Sequence, residues 1–563
     1  MSLGGLVDWI TDYTFNVNAY PNGGCPSITA KLHYFCHRSY AQSFGQPSLT
    51  FRTQDWAGFF QDDWRVTQRL TIHAGLRFEY QFLPLPQQPN AALDVVFGAV
   101  GATSVFPEDR NNFGPRLGLA WQPFGVGRGV LRIGYGVYFG KLPGATIRAA
   151  LLDTALPSSV RRIRILPTTE TSCPQVTTVG IGYPCSYLTP PTGVVAATTS
   201  AVVVDRRFRL PEVQQGTLSI EHGLGAEVLG RVGYVLNLDR QLPNSVDINI
   251  APSTEVQTFQ LQGGTGAVGV RDGETFAIPV YTARVTPSFG PVTDLVSNAN
   301  ASYHGVTLEA RRGMGAGRGA GGESFYGERA RGLDFRVAWT WSKAIDFGQS
   351  AGAVPRTNGQ FDPFTVRYDK GLSALNFPHR VVATIVWSPQ LSGSGGSQTS
   401  VTAERAVGRL ADGWSMAWIF SESSGRGYSY DIFGGTRLPG GRESINGSGG
   451  SVVLPTVGRN TLRLPDSVNL DIRLSRTFRL GEGLRLRASA EAFNLTNRPN
   501  YSGITQRAFL VDPAVNGVTP LVFQDAATVA TEGLNVQPFG AYTAAATSQA
   551  RERQLQLGLR LEF

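Results

Sequence analysis

The sequence predicts an all-β chain, an antiparallel transmembrane β-barrel of the outer-membrane type. Three observations predict it. First, the last eleven residues, 553–563, alternate without a break. Leu555, Leu557, Leu559, Leu561 and Phe563 share one parity; Gln554, Gln556, Gly558, Arg560 and Glu562 share the other. Successive side chains of a strand point to opposite faces, so this segment has one apolar and one polar side. Its length matches the about 9–11 residues that a tilted strand needs to cross a bilayer. Second, about thirteen such segments of 10–13 residues recur along the chain, longer than the about 5–6 residues usual in globular proteins. Third, short turns alternate with long loops rich in Gly, Ser and Pro, the asymmetry of a barrel with short periplasmic turns and long extracellular loops.

The elements follow in chain order. Residues 1–52 read as an irregular amino-terminal segment, and 53–563 as the barrel. Trp56, Gly58, Phe60, Asp62 and Trp64 alternate imperfectly in a first strand, which turns at Thr67-Gln68-Arg69. Ile72, Ala74, Leu76, Phe78, Tyr80 and Phe82 then line one face, with His73, Arg77, Glu79 and Gln81 on the other. A Pro-containing loop over 83–112 leads to strands at 113–124 and 130–140. A second loop, 141–211, leads to strands at 212–222 and 228–239, joined by a turn at 223–227. A third loop runs to residue 301. Further strands follow at 302–312, 332–343, 378–388, 413–422, 466–478 and 484–495, and 553–563 closes the chain. With the short turns on the periplasmic side, the carboxy terminus lies in the periplasm. The connections at 313–331 and 389–412 are longer than this rule predicts.

Composition agrees. Glycine is 67 of 563 residues, about 12%, against about 7% in average proteins. Charged residues are 16%, below the usual about 25%, as suits strands and turns with few solvated helix faces. The formal charge of +8 comes almost wholly from arginine; Lys31, Lys141, Lys343 and Lys370 are the only lysines. These arginines are spread along strands beside acids, as in Arg77-Phe78-Glu79 and Asp471-Ile472-Arg473, which points to ion pairing on a polar strand face rather than to nucleic acid. No apolar run reaches the about 18 residues of a membrane helix. In hydrocarbon every N–H and C=O must find its partner inside the protein, so crossing strands survive only in a closed sheet. Trp64, Tyr138, Trp341, Trp387 and Trp414, near strand ends, suit the aromatic girdles of such a barrel.

Several segments form a recognisable set. They are FFQDDWRV (59–66) with GLRFEY (75–80), PRLGLAW (115–121), LRIGYGVYFG (131–140), WTWSKAID (339–346) and GLSALNFPHR (371–380). Near the end stand GRNTLRLPDSVNLDIRLSRTFRL (458–480), EAFNLTNRPNY (491–501) and the terminal LQLGLRLEF. Together, over residues 48–563, they resemble the barrels of TonB-dependent receptors, above all the Oar-like group that bears a carboxypeptidase-regulatory-like domain. The resemblance implies a 22-stranded barrel filled by an amino-terminal plug and coupled to TonB. Here no plug, TonB box or regulatory domain is recognised, and the start has neither the basic n-region nor the apolar h-region of a signal peptide. The expectation is therefore the carboxy-terminal, partial barrel of a receptor, about 13–14 strands, from a truncated or split gene. TonB is an expected partner only where a plug is present. The other expected partners are outer-membrane lipid and, through Phe563 as a carboxy-terminal assembly signal, the barrel-assembly machinery.

The remaining motifs offer little chemistry. Cys25 and Cys36 lie in the first loop, Cys173 and Cys185 in the loop after Gly140. A local disulfide in each is expected on the oxidising extracellular side. His33 and His37 flank Cys36, but their spacing fits no standard zinc pattern. GQSAG (348–352) matches G-x-S-x-G in a glycine-rich loop without the strand–turn–helix that a nucleophile elbow requires. Gly317, Gly319 and Gly322 match G-x-G-x-x-G without a βαβ unit. The Gly/Arg-rich 311–332 reads as a periplasmic turn rather than an RNA-binding segment. Neither a catalytic constellation nor a cofactor is expected. The expected function is outer-membrane reception or transport of bulky nutrients (oligosaccharides, peptides or metal chelates), with the long loops contacting ligand. A passive porin-like channel, a surface adhesin or structural protein, and an inert remnant of a broken gene are the alternatives.

Overall fold

A computed structural model describes residues 2–9, 37–45, 49–125, 127–156, 161–165, 176–177, 180–181, 199–225, 227–313, 333–348, 358–388, 413–481, 483–531, 537–545 and 552–563. Thirteen strands form one continuous antiparallel path. They are β1 (Gln54–Thr67), β2 (Leu70–Phe82), β3 (Asn112–Trp121), β4 (Gly129–Phe139), β5 (Glu212–Gly225), β6 (Val228–Asp247) and β7 (Val292–Arg312). The path continues through β8 (Leu333–Asp346), β9 (His379–Trp387), β10 (Trp414–Ser423), β11 (Ser467–Arg479), β12 (Arg485–Phe493) and β13 (Gln554–Glu562). Each strand pairs with its neighbours in sequence, as an up-and-down meander does, and β1 and β13 are the two ends of the path. Both run toward the short-turn end.

Alternation is kept across the whole path because residues directly opposite in a sheet share a face. One row reads Leu557–Ala490–Leu474–Met416–Trp387–Leu333. The row beside it reads Gln556–Glu491–Arg473–Ala417–Val386–Asp334. The first belongs to an apolar face and the second to a polar one. A one-residue slip anywhere would swap the faces, so the register is fixed by the contrast between lipid and water.

Short connections are tighter than the sequence suggested. Thr67 pairs with Leu70, leaving a two-residue turn. Gly225, at φ 89°, pairs with Val228, so the expected five-residue turn at 223–227 shrinks to two. The long connections differ more. β6 and β7 have 20 and 21 residues, about twice what crossing requires; they continue past the membrane, where Val246 still pairs with Asp294. The loops also contain helices α1 (Ala91–Phe97), α2 (Gly144–Leu152) and α3 (Ala526–Thr531), with short strands of their own. Residues 1–52, expected to be irregular, include strands Ser2–Trp9 and His37–Phe44, which pair with each other, and the second also pairs with Arg161–Ile165. Residues 314–332 and 389–412 lie outside the described residues.

Candidate functional site

Two features arise from this arrangement: a charged polar face along the sheet and a folded layer at the long-loop end.

On the polar face, arginines sit beside acids one or two strands away, or two residues along the same strand. Arg336 meets Glu309 at 2.9 Å, Arg311 meets Glu221 at 3.1 Å and Arg473 meets Glu491 at 3.2 Å. Glu562 lies 3.5 Å from both Arg487 and Arg560. Arg77 pairs with Glu79, and His73 lies 2.6 Å from Asp63. Opposite residues on one face lie within reach of long side chains, so a spaced series of Arg and Glu becomes a ladder once the strands align. Arginine suits this role because its planar fork holds a carboxylate while keeping other donors free. Glycines make room for rings on the same face. A Cβ on Gly136 would lie 2.8 Å from the Tyr138 hydroxyl and 2.9 Å from its ring, and one on Gly305 would meet the Tyr303 ring at 3.0 Å. Each tyrosine therefore lies flat over a glycine, and Arg116 stacks on Tyr138 with its guanidinium carbon 4.8 Å from the ring centre.

The loop-end layer is built from connections far apart in sequence. Thr275–Pro279, Val256–Gln262, Val518–Phe523, Arg507–Val511 and Asp431–Phe433 form one five-stranded sheet in that order. They come from three long connections: β6–β7, β10–β11 and β12–β13. Phe259, Leu261, Tyr430, Ile432, Phe509 and Leu521 are buried in its core. Asn and Ser side chains bind loops to one another, since irregular backbone has donors and acceptors with no ladder to fill. Asn446 Nδ2 donates to the Phe361 carbonyl at 2.7 Å, and the Ser448 hydroxyl donates to the same oxygen at 2.8 Å. Asn249 Nδ2 donates to the carbonyls of Thr286, Phe289 and Gly290. Arg459 meets Asp346 at 2.9 Å and donates to the Asp369 carbonyl at 2.7 Å.

A second packed region joins the β4–β5 loop to the extended ends of β6 and β7. Ala201–Asp205 lies parallel to β7, with Val203 opposite Asp294. On one side Leu93, Phe97, Val203 and Val292 pack together; on the other α2 packs against Val202, Val204 and Leu295. At the strand ends Arg284 Nη1 meets Asp247 Oδ2 at 3.0 Å, with both side chains nearly fully buried, 2% and 4% exposed. Burial pushes the Asp247 carboxyl up, opposed by Arg284 and by the N–H groups of Val292 and Asn249. Asp294 is completely buried, and its two carboxylate oxygens have no hydrogen-bond partner among the described residues. Burial, reinforced by the charge of Asp205, pushes its pKa up to about 8. Burial likewise raises Asp369 to about 7 and Asp431 to about 6.

The sequence-predicted residues fall as follows. Phe563 follows β13 at the short-turn end and is fully exposed, at 101%. Cys25, Cys36, Cys173 and Cys185 lie outside the described residues, as do Gly317, Gly319, Gly322 and residues 349–352. Of GQSAG only Gly348 is described; its N–H donates to Asp346 Oδ1. Trp64, Trp121, Trp387 and Trp414 all lie on the apolar face near the short-turn end. Trp341 lies on that face toward the long-loop end, whereas Tyr138, expected in the girdle, has the opposite parity and lies on the polar face over Gly136. Trp56 lies eight residues above Trp64 on the same face, about 26 Å along the strand and about 20 Å in height at a tilt of about 40°, within a lipid-facing band about 25 Å tall. Among the described residues no group of three His, Cys, Asp or Glu side chains could hold a metal, and no helix is long and apolar enough to cross a membrane.

Comparison with known proteins adds the family. Residues 30–556 match the family model of the outer membrane beta barrel domain. Over 122 residues the chain is 30% identical to the TonB-dependent transporter Oar of Myxococcus xanthus; that stretch is 21% of this chain and 10% of Oar. Among solved structures, the outer membrane transporter YddB from Escherichia coli aligns over 95% of this chain and 48% of its own, at 12% identity and a TM-score of 0.47. The FrpB iron transporter from Neisseria meningitidis aligns over 92% and 45%, at 10% identity and a TM-score of 0.38. The chain thus spans about half the length of these transporters. With the family match extending over nearly the whole of the antiparallel meander, the chain belongs to the outer membrane beta barrel domain family and resides in the outer membrane.

Proposed function

We propose that this chain serves outer-membrane reception and transport of a bulky solute. The loop-end layer would contact the ligand, and the arginine-lined polar face would form the wall of its path. Residues 53–563 act as one barrel unit in this reading. The observation that carries it is the five-stranded sheet assembled from three separate long connections around its own apolar core. A surface preorganised in this way loses little conformational entropy on binding, whereas a simple pore needs no such structure. The chain is similar to a TonB-dependent transporter, Oar, and the resemblance read from the sequence implies a solute among oligosaccharides, peptides and metal chelates. Coupling to TonB requires a plug, so energised uptake is proposed only for a barrel that contains one.

The test is solute binding by the chain folded into vesicles, measured by calorimetry across those three classes. Saturable binding that is lost when Phe259→Asp breaks the layer's core supports the reading. A sustained, ligand-insensitive conductance in planar bilayers, with no binding in any class, overturns it in favour of a passive channel.

A further inference from the structure

The hairpin of β11 and β12 carries a cluster of arginines at its short-turn end, one of them on the membrane side of the sheet, that the solute path does not use. Leu470, Ile472, Leu474 and Phe478 of β11 lie on the apolar face, and Arg476 lies among them on the same parity. Its neighbours across the sheet are Trp414 and Ala488. The guanidinium carbon stands 5.1 Å from the Trp414 ring and 4.9 Å from the Phe478 ring. Its height is set by Trp414, the first residue of β10 and a member of the short-turn tryptophan belt. Aromatic belts of this kind sit at headgroup level. At the tip, Arg479 faces Arg485 across the ladder, both exposed and both on the polar-face parity, and Leu480 N–H closes onto the Leu484 carbonyl. Among the described residues none of the three arginines has a carboxylate within ion-pair distance, in contrast to the laddered arginines of the polar face. The tip sequence contains one acid, Glu482, against these three cations.

A guanidinium at headgroup depth, over two rings and without a carboxylate partner among the described residues, keeps its donors for an external anion. The anion available at that depth on the short-turn side is a phospholipid phosphodiester. We propose that the short-turn end of this hairpin is a binding site for an anionic glycerophospholipid of the periplasmic leaflet. Arg476 donates to the phosphodiester, Trp414 and Phe478 pack on the first acyl-chain and glycerol carbons, and Arg479 and Arg485 supply the field that favours an anionic over a zwitterionic headgroup. The site depends on the outer-membrane location and not on the solute reading.

The test uses the full chain folded in nanodiscs of phosphatidylcholine mixed with phosphatidylglycerol, with retained lipid read by native mass spectrometry after transfer to detergent. The wild-type chain is expected to retain phosphatidylglycerol in preference to phosphatidylcholine, and Arg476→Gln to weaken that retention about tenfold, the worth of one charge-assisted hydrogen bond. Equal retention of the two lipids by the wild type, or an unchanged preference in Arg476→Gln, would overturn the proposal. Should that variant fail to fold, Arg479→Gln with Arg485→Gln, outside the hydrocarbon, is expected to reduce the preference, and no reduction would equally overturn it. Arg271→Gln, at the long-loop end, should leave the preference intact; a matching loss there would reduce the effect to net charge and reject the site. Inorganic phosphate should not displace the lipid, and full displacement would reject the lipid as its occupant.

Discussion

Substituting arginine at Leu557 and, separately, at Gln556 tests the two faces with the same added charge. β13 has nine residues, of which Leu557 is the fourth. At about 3.3 Å per residue and a tilt of about 40°, each residue climbs about 2.5 Å, so Leu557 stands about 8–12 Å from either end of the strand. That is near the middle of an apolar band about 25 Å tall. Leu557 is 84% exposed and lies opposite Ala490, with no polar neighbour on its face to receive a cation. Leu557→Arg is expected to cost about 2–4 kcal/mol, the value for arginine at the bilayer midplane, or about 30- to 1000-fold in the folding equilibrium. Gln556 lies opposite Glu491, which already accepts Arg473 at 3.2 Å. A new arginine there meets solvent and a carboxylate, and should change stability by less than about 0.5 kcal/mol. The assay is a urea titration of folding into phosphatidylcholine vesicles, read by the gel-mobility difference between folded and unfolded chain. Leu308 and Thr307 repeat the comparison inside the sheet, where Leu308 lies opposite both Val232 and Trp339. Equal shifts for the two members of either pair would refute the assignment of the faces.

Four further outcomes are expected. Gly136→Ala forces the Tyr138 ring off its glycine and away from Arg116, at about 1–3 kcal/mol; the cost should shrink in a Tyr138→Ala background, measured by the same titration. Arg284→Ala strands the Asp247 carboxylate in a buried site, which should loosen the extended ends of β6 and β7 by about 3–5 kcal/mol, seen as faster hydrogen exchange at 246–250. Asp294 has a folded pKa near 8, raised above the usual carboxylate value, so the neutral form is the folded one. Its stabilisation is full below about pH 4 and is lost progressively as pH rises to about 8. Protection of residues 91–103 should fall over that range and stay flat in Asp294→Asn. Deleting Phe563 should reduce insertion into the outer membrane by the assembly machinery, and unchanged heat-modifiable protein in that fraction would remove its proposed role.

The membrane part was legible because lipid and water impose opposite demands on alternate residues. Leu333, Phe335, Val337, Trp339 and Trp341 reveal their strand without any knowledge of its partners, and thirteen strands were recovered by that signal alone. Where the same strands leave the membrane, both faces meet protein and the alternation stops. The stretch 292–301 therefore read as loop although it continues β7. The loop-end sheet was invisible for a different reason. Thr258 pairs with Val518, a partner 260 residues away, and neither short segment has a local period. Asn249 and Asn446 look like ordinary loop polars in the sequence; their role in joining loops appears only once several backbone carbonyls converge on them.

The direction of the two outermost strands has a geometric consequence. β1 and β13 both descend, and among the described residues neither has a partner on its outer side, so the two borders present their amides with the same polarity. A second sheet of this kind, standing upright beside the first, would meet those borders in parallel fashion only. An antiparallel seam demands a partner whose first and last strands ascend, and hence an odd number of them. Ring closure of this family member is in that sense a question of parity, settled before any side chain is consulted.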